Sequence, residues 1–88
     1  MTERLTQLYK FLELAPDDAF TLYSIAHEYQ QGGDLQKARS YFERLLEAQP
    51  TYVGAYYHLA DIQKQQGEAE VAENTYRTGM KTALAQRD

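Results

Sequence analysis

The chain has 88 residues, 43% of them hydrophobic, with nine Lys and Arg against thirteen Asp and Glu for a net charge of −4. An acidic chain lacks the cations that release counterions from nucleic acid or hold a protein to anionic lipid, so neither DNA, RNA nor a membrane is expected as a partner. There is no cysteine, which removes disulfides, thiolate metal sites and thiol nucleophiles together. No apolar run approaches the ~18 residues that a membrane span needs. The opening MTERLTQLYK carries acid and too short an apolar stretch for a secretory leader, so the expected location is cytoplasmic.

In chain order, Leu5, Leu8, Phe11 and Leu12 recur at helical spacing ahead of Pro16, which predicts a leading helix within residues 1–18. Leu22, Ile25, Ala26 and Tyr29 then follow the i, i+3, i+4, i+7 rule of an amphipathic helix. Gly32-Gly33 ends it, because glycine accepts the left-handed conformation that helix C-termini use. Asp34 is placed to cap the next helix, whose apolar face is Leu35, Ala38, Phe42, Leu45 and Leu46 before Pro50 stops it. Thr51 is the expected cap of a fourth helix with Tyr56, Leu59 and Ala60 inward. Gly67 breaks that helix, and Val71, Ala72, Tyr76 and Met80 form the face of a fifth.

The spacing from Pro16 to Pro50 also relates two whole segments of equal length, 19–52 and 53–86. Identical residues fall at Tyr23/Tyr57, Ala26/Ala60, Gln31/Gln65, Gly33/Gly67 and Ala38/Ala72. They are mostly small residues, a turn glycine and one apolar stripe, where geometry is strictest. Ala26 against Ala38, and Ala60 against Ala72, permit close helix axes with larger side chains filling in beside them. The reading is one domain, 1–88, with a leading helix at 1–18 and repeats at 19–52 and 53–86. Its class is all-α, about five helices in antiparallel hairpins.

These residues resemble the tetratricopeptide repeat, a helix–turn–helix unit of about 34 residues. Leu22, Ile25, Ala26 and Tyr29 match its first helix; Gly33-Asp34, Ala38, Phe42 and Pro50 match its turn, second helix and close; Phe11–Pro16 (FLELAP) resembles its characteristic helix ending. The chain departs from the pattern at Gln63, where Tyr29 has its counterpart, and at Leu84, where a closing proline is expected. Phe11 and Leu45 are bulkier than the pattern asks, and Gly79 is smaller. A last helix that packs loosely or runs on is therefore expected. The resemblance implies hairpins stacked as a short right-handed superhelix whose concave face is lined by the first helix of each repeat.

It also implies which side chains line that face: Phe20, Tyr23, His27, Gln30 and Gln31 from the first repeat, and Tyr57, Asp61 and Lys64, with Gln65, from the second. Tyr52 joins them at the start of the second repeat. Tyr23, Tyr57 and Phe20 are open to two readings, lining the groove or packing between helices, with packing favoured for Phe20. An aromatic and amide strip suits an extended or helical peptide. One subclass of the family grips the C-terminal carboxylate of chaperone peptides with Lys, Arg and Asn. Here Tyr23, His27, Tyr57 and Asp61 hold those places and Lys64 is the one cation. The expected partner is therefore a neutral or weakly basic protein segment.

Catalysis is not expected. His27 with Asp61 would begin a general base, but no nucleophile is positioned beside it: Ser24 and Ser40 lie on other helical faces, and His58 is expected to point away from the strip that His27 joins. No cofactor is implied, since Gly32-Gly33 has no Lys-Ser/Thr after it to cradle phosphate, and His27 and Asp61 lack a third metal ligand. Glu68, Glu70 and Glu73 are read as a solvated face that offsets the helix dipole. The expected function is a protein–protein interaction module holding a partner's peptide in the groove. The alternative is a self-assembling homo-oligomer, pairing through the last helix by a patch of Val71, Met80 and Leu84.

Overall fold

A computed structural model describes residues 2–87; residue 1, the first of the leading segment, lies outside the described residues. Five helices follow one another: α1 (Glu3–Leu14), α2 (Ala19–Gln31), α3 (Leu35–Ala48), α4 (Val53–Gln65) and α5 (Ala69–Ala85), with no strand among the described residues. The starts of α4 and α5, at Val53 and Ala69, repeat those of α2 and α3, at Ala19 and Leu35, one repeat length later. Packing runs in chain order, α1 on α2, α2 on α3, α3 on α4 and α4 on α5, so two antiparallel hairpins stack behind a leading helix.

The ends of the helices follow local chemistry. The Thr2 hydroxyl accepts from the Leu5 amide at 3.1 Å to start α1. Asp18 accepts from the Thr21 amide at 2.9 Å and its hydroxyl at 2.7 Å to start α2, and Asp34 accepts from the Lys37 amide at 3.2 Å to start α3. Gly33 and Gly67 take φ of 86° and 84°, which turns the chain back within each hairpin. Ala15 and Gln49, each preceding a proline, leave the helical region at φ −141° and −143° and end α1 and α3. The fourth helix differs from expectation. Its cap position is Tyr52, not Thr51, and no side chain caps it.

The core contains Leu5, Leu8 and Leu12 of α1, Leu22, Ile25 and Ala26 of α2, Ala38, Phe42 and Leu45 of α3, and Ala55, Leu59 and Ile62 of α4. Ala26, Ala38 and Ala60 are fully buried and Ala72 nearly so, as close helix approach requires. Three residues expected on inward faces are instead exposed: Phe11 (61%), Met80 (56%) and Val71 (42%). α5 turns Ala72 and Gly79 inward in place of Val71 and Met80.

The departures from the repeat pattern are compensated in pairs. Tyr29 stacks on Tyr41, with ring centroids 6.0 Å apart. At the equivalent places Thr75 donates to buried Gln63 at 2.7 Å. Leu22 and Leu45 are both fully buried, and their equivalents are Tyr56 and Gly79. A Cβ on Gly79 would stand 2.8 Å from that of Tyr56, so α5 packs closely at this point rather than loosely. It also runs on to Ala85, longer than any other helix described.

Candidate functional site

Of the side chains expected to line the concave face, His27 and Tyr52 gather on Tyr23. On α2, Tyr23 stacks on His27 one turn along, with centroids 6.1 Å apart and planes 12° from parallel. The Tyr52 ring leans over Tyr23 at 5.5 Å, and burial followed by the neighbouring Tyr23 phenol holds the Tyr52 hydroxyl above its ordinary pKa. Beneath them Phe42 of α3 meets Tyr23 edge-on at 5.9 Å. Tyr23 thus packs between these rings and stays half-buried.

His58 is the main correction to the sequence reading. Expected to point away, it stands in the cluster, wedged from α4 against α2 and α3. Its ring stacks on Phe42 at 5.3 Å with planes 6° apart and meets His27 edge-on at 6.0 Å. Its Nε2 lies 3.0 Å from the Tyr23 hydroxyl. Its Nδ1 lies 2.9 Å from Oε1 of Gln30, where only the ring N–H can donate. Burial, then the neighbouring His27, hold its pKa below the ordinary histidine value, against a smaller opposite pull from Asp61. The signal is present in the sequence: His58 lies three residues after Ala55 and four before Ile62, on the stripe that α4 buries.

The second repeat's half of the strip is plainer. Tyr57 packs on Tyr76 with centroids 6.1 Å apart, the counterpart in this repeat of the Tyr23–Phe42 contact. No ring contact joins Tyr57 to Tyr23 among the described residues. Asp61 accepts from the Tyr76 hydroxyl, and no hydrogen bond links it to His27, so the two do not form the beginning of a general base. Gln31, Lys64 and Gln65 are exposed. Phe20, expected to pack, stands 67% exposed on α2, one turn before Tyr23 on the same helical face. Ser24 is buried and Ser40 lies on α3, out of the strip. Among the described residues no three His, Asp or Glu side chains are grouped to hold a metal ion, and no helix is long and apolar enough to cross a membrane.

The acidic cluster at the start of α5 is in part a fastener rather than a solvated face. Glu68 meets Arg39 of α3 at 2.6 Å, and Arg39 reaches Gln66 at 2.8 Å and Glu43 at 3.4 Å. Glu73 pairs with Arg77 at 2.6 Å along α5.

Comparison with known proteins matches this architecture. The tetratricopeptide repeat profile matches residues 29–86, well over half of the chain. The chain belongs to the tetratricopeptide repeat family. A tetratricopeptide repeat domain protein from Salinibacter ruber is similar at 34% identity and a TM-score of 0.76, over 81% of this chain and 79% of that one. A MamA crystal structure is similar in fold at 17% identity and a TM-score of 0.90, over 93% of this chain and 48% of that one. MamA from Desulfovibrio magneticus RS-1, from residue 41 to its end, is similar at 19% identity and a TM-score of 0.88, over 96% and 48%. The chain therefore spans about half the length of the MamA chains it matches. No curated protein matches it. Tetratricopeptide repeats generally mediate protein–protein interaction and are generally non-enzymatic.

Proposed function

We propose that this tetratricopeptide repeat chain, read as a leading helix at 1–18 and repeats at 19–52 and 53–86, holds a segment of a partner protein along α2 and α4. The observation that carries the reading is the row of Phe20, Tyr23 and His27 on one face of α2, joined by Tyr52. It offers apolar and aromatic area already held in place by Phe42 and His58 beneath. Preordered rings cost little entropy on binding and supply contact area, while exposed Gln31 and Gln65 can satisfy a peptide backbone. Gln30 is committed to His58 and contributes by fixing it.

The charge of the strip favours a neutral or weakly basic segment. Asp61 and Lys64 lie one turn apart on α4, and no cluster of cations is present among the described residues of the strip to hold a phosphate or a terminal carboxylate. The role is one of binding, not catalysis.

Selection from a displayed peptide library against the purified chain tests the reading. Peptides that emerge should lose affinity about tenfold or more, near 1.4 kcal/mol, when Phe20→Ala and His27→Ala are combined. Both side chains lie outside the main core, so far-UV circular dichroism should not change. Binding that survives both substitutions but fails on Phe11→Ala would place the site on α1 and end this reading.

A further inference from the structure

α5 leaves two large apolar side chains, Met80 and Leu84, uncovered. With 3.6 residues per turn, Ala69, Glu73, Tyr76, Met80 and Ala83 fall in alternating steps of four and three along one stripe, the spacing of a two-helix seam. Leu84 flanks it. Met80 is 56% exposed and Leu84 58%. Val71 stands on the opposite side of the helix from Met80 and belongs to a different groove, lined by Tyr56, Leu59 and Thr75. The three apolar residues expected to make one patch therefore divide between two faces.

The same molecule shows what such a stripe can do. The equivalent places in the first repeat are Leu35, Arg39, Phe42 and Leu46 of α3 and its cap residue Gln49. There α4 packs on α3, with Phe42 stacked on His58. Among the described residues no helix lies in the corresponding position on α5.

The charges on α5 indicate what would cover it. Glu70 and Glu73 lie in its first half, Arg77 and Lys81 in its second. Such a helix is complementary to itself only when antiparallel; a parallel pair would set acid beside acid. We infer that a second copy of this chain docks here, α5 against α5, about a two-fold axis passing between Tyr76 and Met80. Met80 of each copy meets Tyr76 of the other, and Glu73 of each lies near Lys81 of the other. A two-fold contact of this kind is closed, so it gives a dimer and not a filament. The inference concerns a different face from the α2–α4 strip and does not rest on the peptide reading.

Sedimentation equilibrium on the whole chain, from low micromolar to millimolar concentration, tests it. The mass should rise from 10.2 kDa toward twice that value. Met80→Glu with Leu84→Glu should hold it at 10.2 kDa throughout, with helical content unchanged. Lys81→Glu should weaken the dimer about tenfold, and adding Glu73→Lys should restore most of that loss. A mass of 10.2 kDa at the highest concentration overturns the inference. So does association that persists through the α5 substitutions and disappears with Phe11→Glu and Leu14→Glu.

Discussion

Nε2 of His58 lies 3.0 Å from the hydroxyl of Tyr23, a residue 35 positions earlier and on the preceding hairpin. This contact, with the Gln30 bond on the other ring nitrogen and the stack on Phe42, joins the two repeats at the base of the strip. It also makes the junction sensitive to acid. Burial and His27 lower the pKa of His58 in the folded chain below its ordinary 6.5. Between those two values the unfolded chain binds more protons than the folded one, so stability rises with pH there. The contribution is fully present above pH 6.5 and is lost as pH falls through the folded value. The groups facing His58 are Tyr23, His27 and Gln30 of α2, Phe42 of α3 and Asp61 of its own helix. Urea midpoints measured from pH 8 to pH 5 should fall on the acid side for the native chain. His58→Phe, which keeps a ring on Phe42, should flatten that slope; an unchanged slope would assign it to another group.

Gly79 and Tyr56 form a second such relationship. A Cβ at Gly79 would sit 2.8 Å from the Tyr56 Cβ, which belongs to a helix and cannot swing aside. Gly79→Ala should gain up to about 1 kcal/mol of helix propensity. It should lose about 1–3 kcal/mol to overpacking, so the net effect is destabilising. Pairing it with Tyr56→Leu, which keeps the obstructing Cβ, should recover little of the loss. Thermal melts of the two single variants and the double variant measure the coupling.

Much of this fold is legible because helix starts, helix stops and the repeat spacing are local properties. Asp34, Gly33, Gly67 and the two prolines act where they stand in the chain. The features that periodicity misses are those decided by a neighbouring helix. Phe11 fits α1's periodicity, yet the described residues bury only Leu5, Leu8 and Leu12 of that helix. Met80 is the equivalent of Leu46, which packs against the core on α3, whereas Val71 is the equivalent of exposed Lys37; α5 buries the same repeat positions as α3, at Ala72 and Gly79. The family pattern names Tyr23, His27 and Tyr52 together, and their rings are neighbours in the structure. The place of His58 depends on the stripe of Ala55, Leu59 and Ile62, which the resemblance to α2 does not display because Ser24 stands at the equivalent position.

Arg39 is expected to act as a clamp between hairpins. It is partly exposed, and it meets Glu68 at 2.6 Å while also touching Glu43 and Gln66. Solvent screening keeps such a network small, so Arg39→Ala should cost up to about 1 kcal/mol at low salt and less in molar salt. A double-mutant cycle with Glu68→Ala measures the pair directly. Coupling indistinguishable from zero at low salt would show that the first turn of α5 is held by packing alone.

At the other end of the molecule three phenols meet, and they set an alkaline limit. The Tyr9 hydroxyl lies 2.6 Å from that of Tyr29 and 3.2 Å from that of Tyr41, tying α1 to α2 and α3. Burial, then the hydrogen bonds with Tyr29 and Tyr41, push the Tyr9 phenol far above its ordinary value of 10.0. The unfolded chain therefore gives up this proton at a pH where the folded chain keeps it, and stability falls as pH rises past 10.0. Tyr52 and Tyr76 add to the same trend, the first chiefly through burial and the second through its bond to Asp61. Absorbance titration should show a late-ionising fraction of the eight tyrosines that becomes accessible only on unfolding. Tyr29→Phe should bring the Tyr9 proton off earlier and cost about 1 kcal/mol at neutral pH. If Tyr29→Phe leaves both the titration and the melting temperature unchanged, the phenol cluster does not fasten α1, and the leading helix is held by Leu5, Leu8 and Leu12 alone.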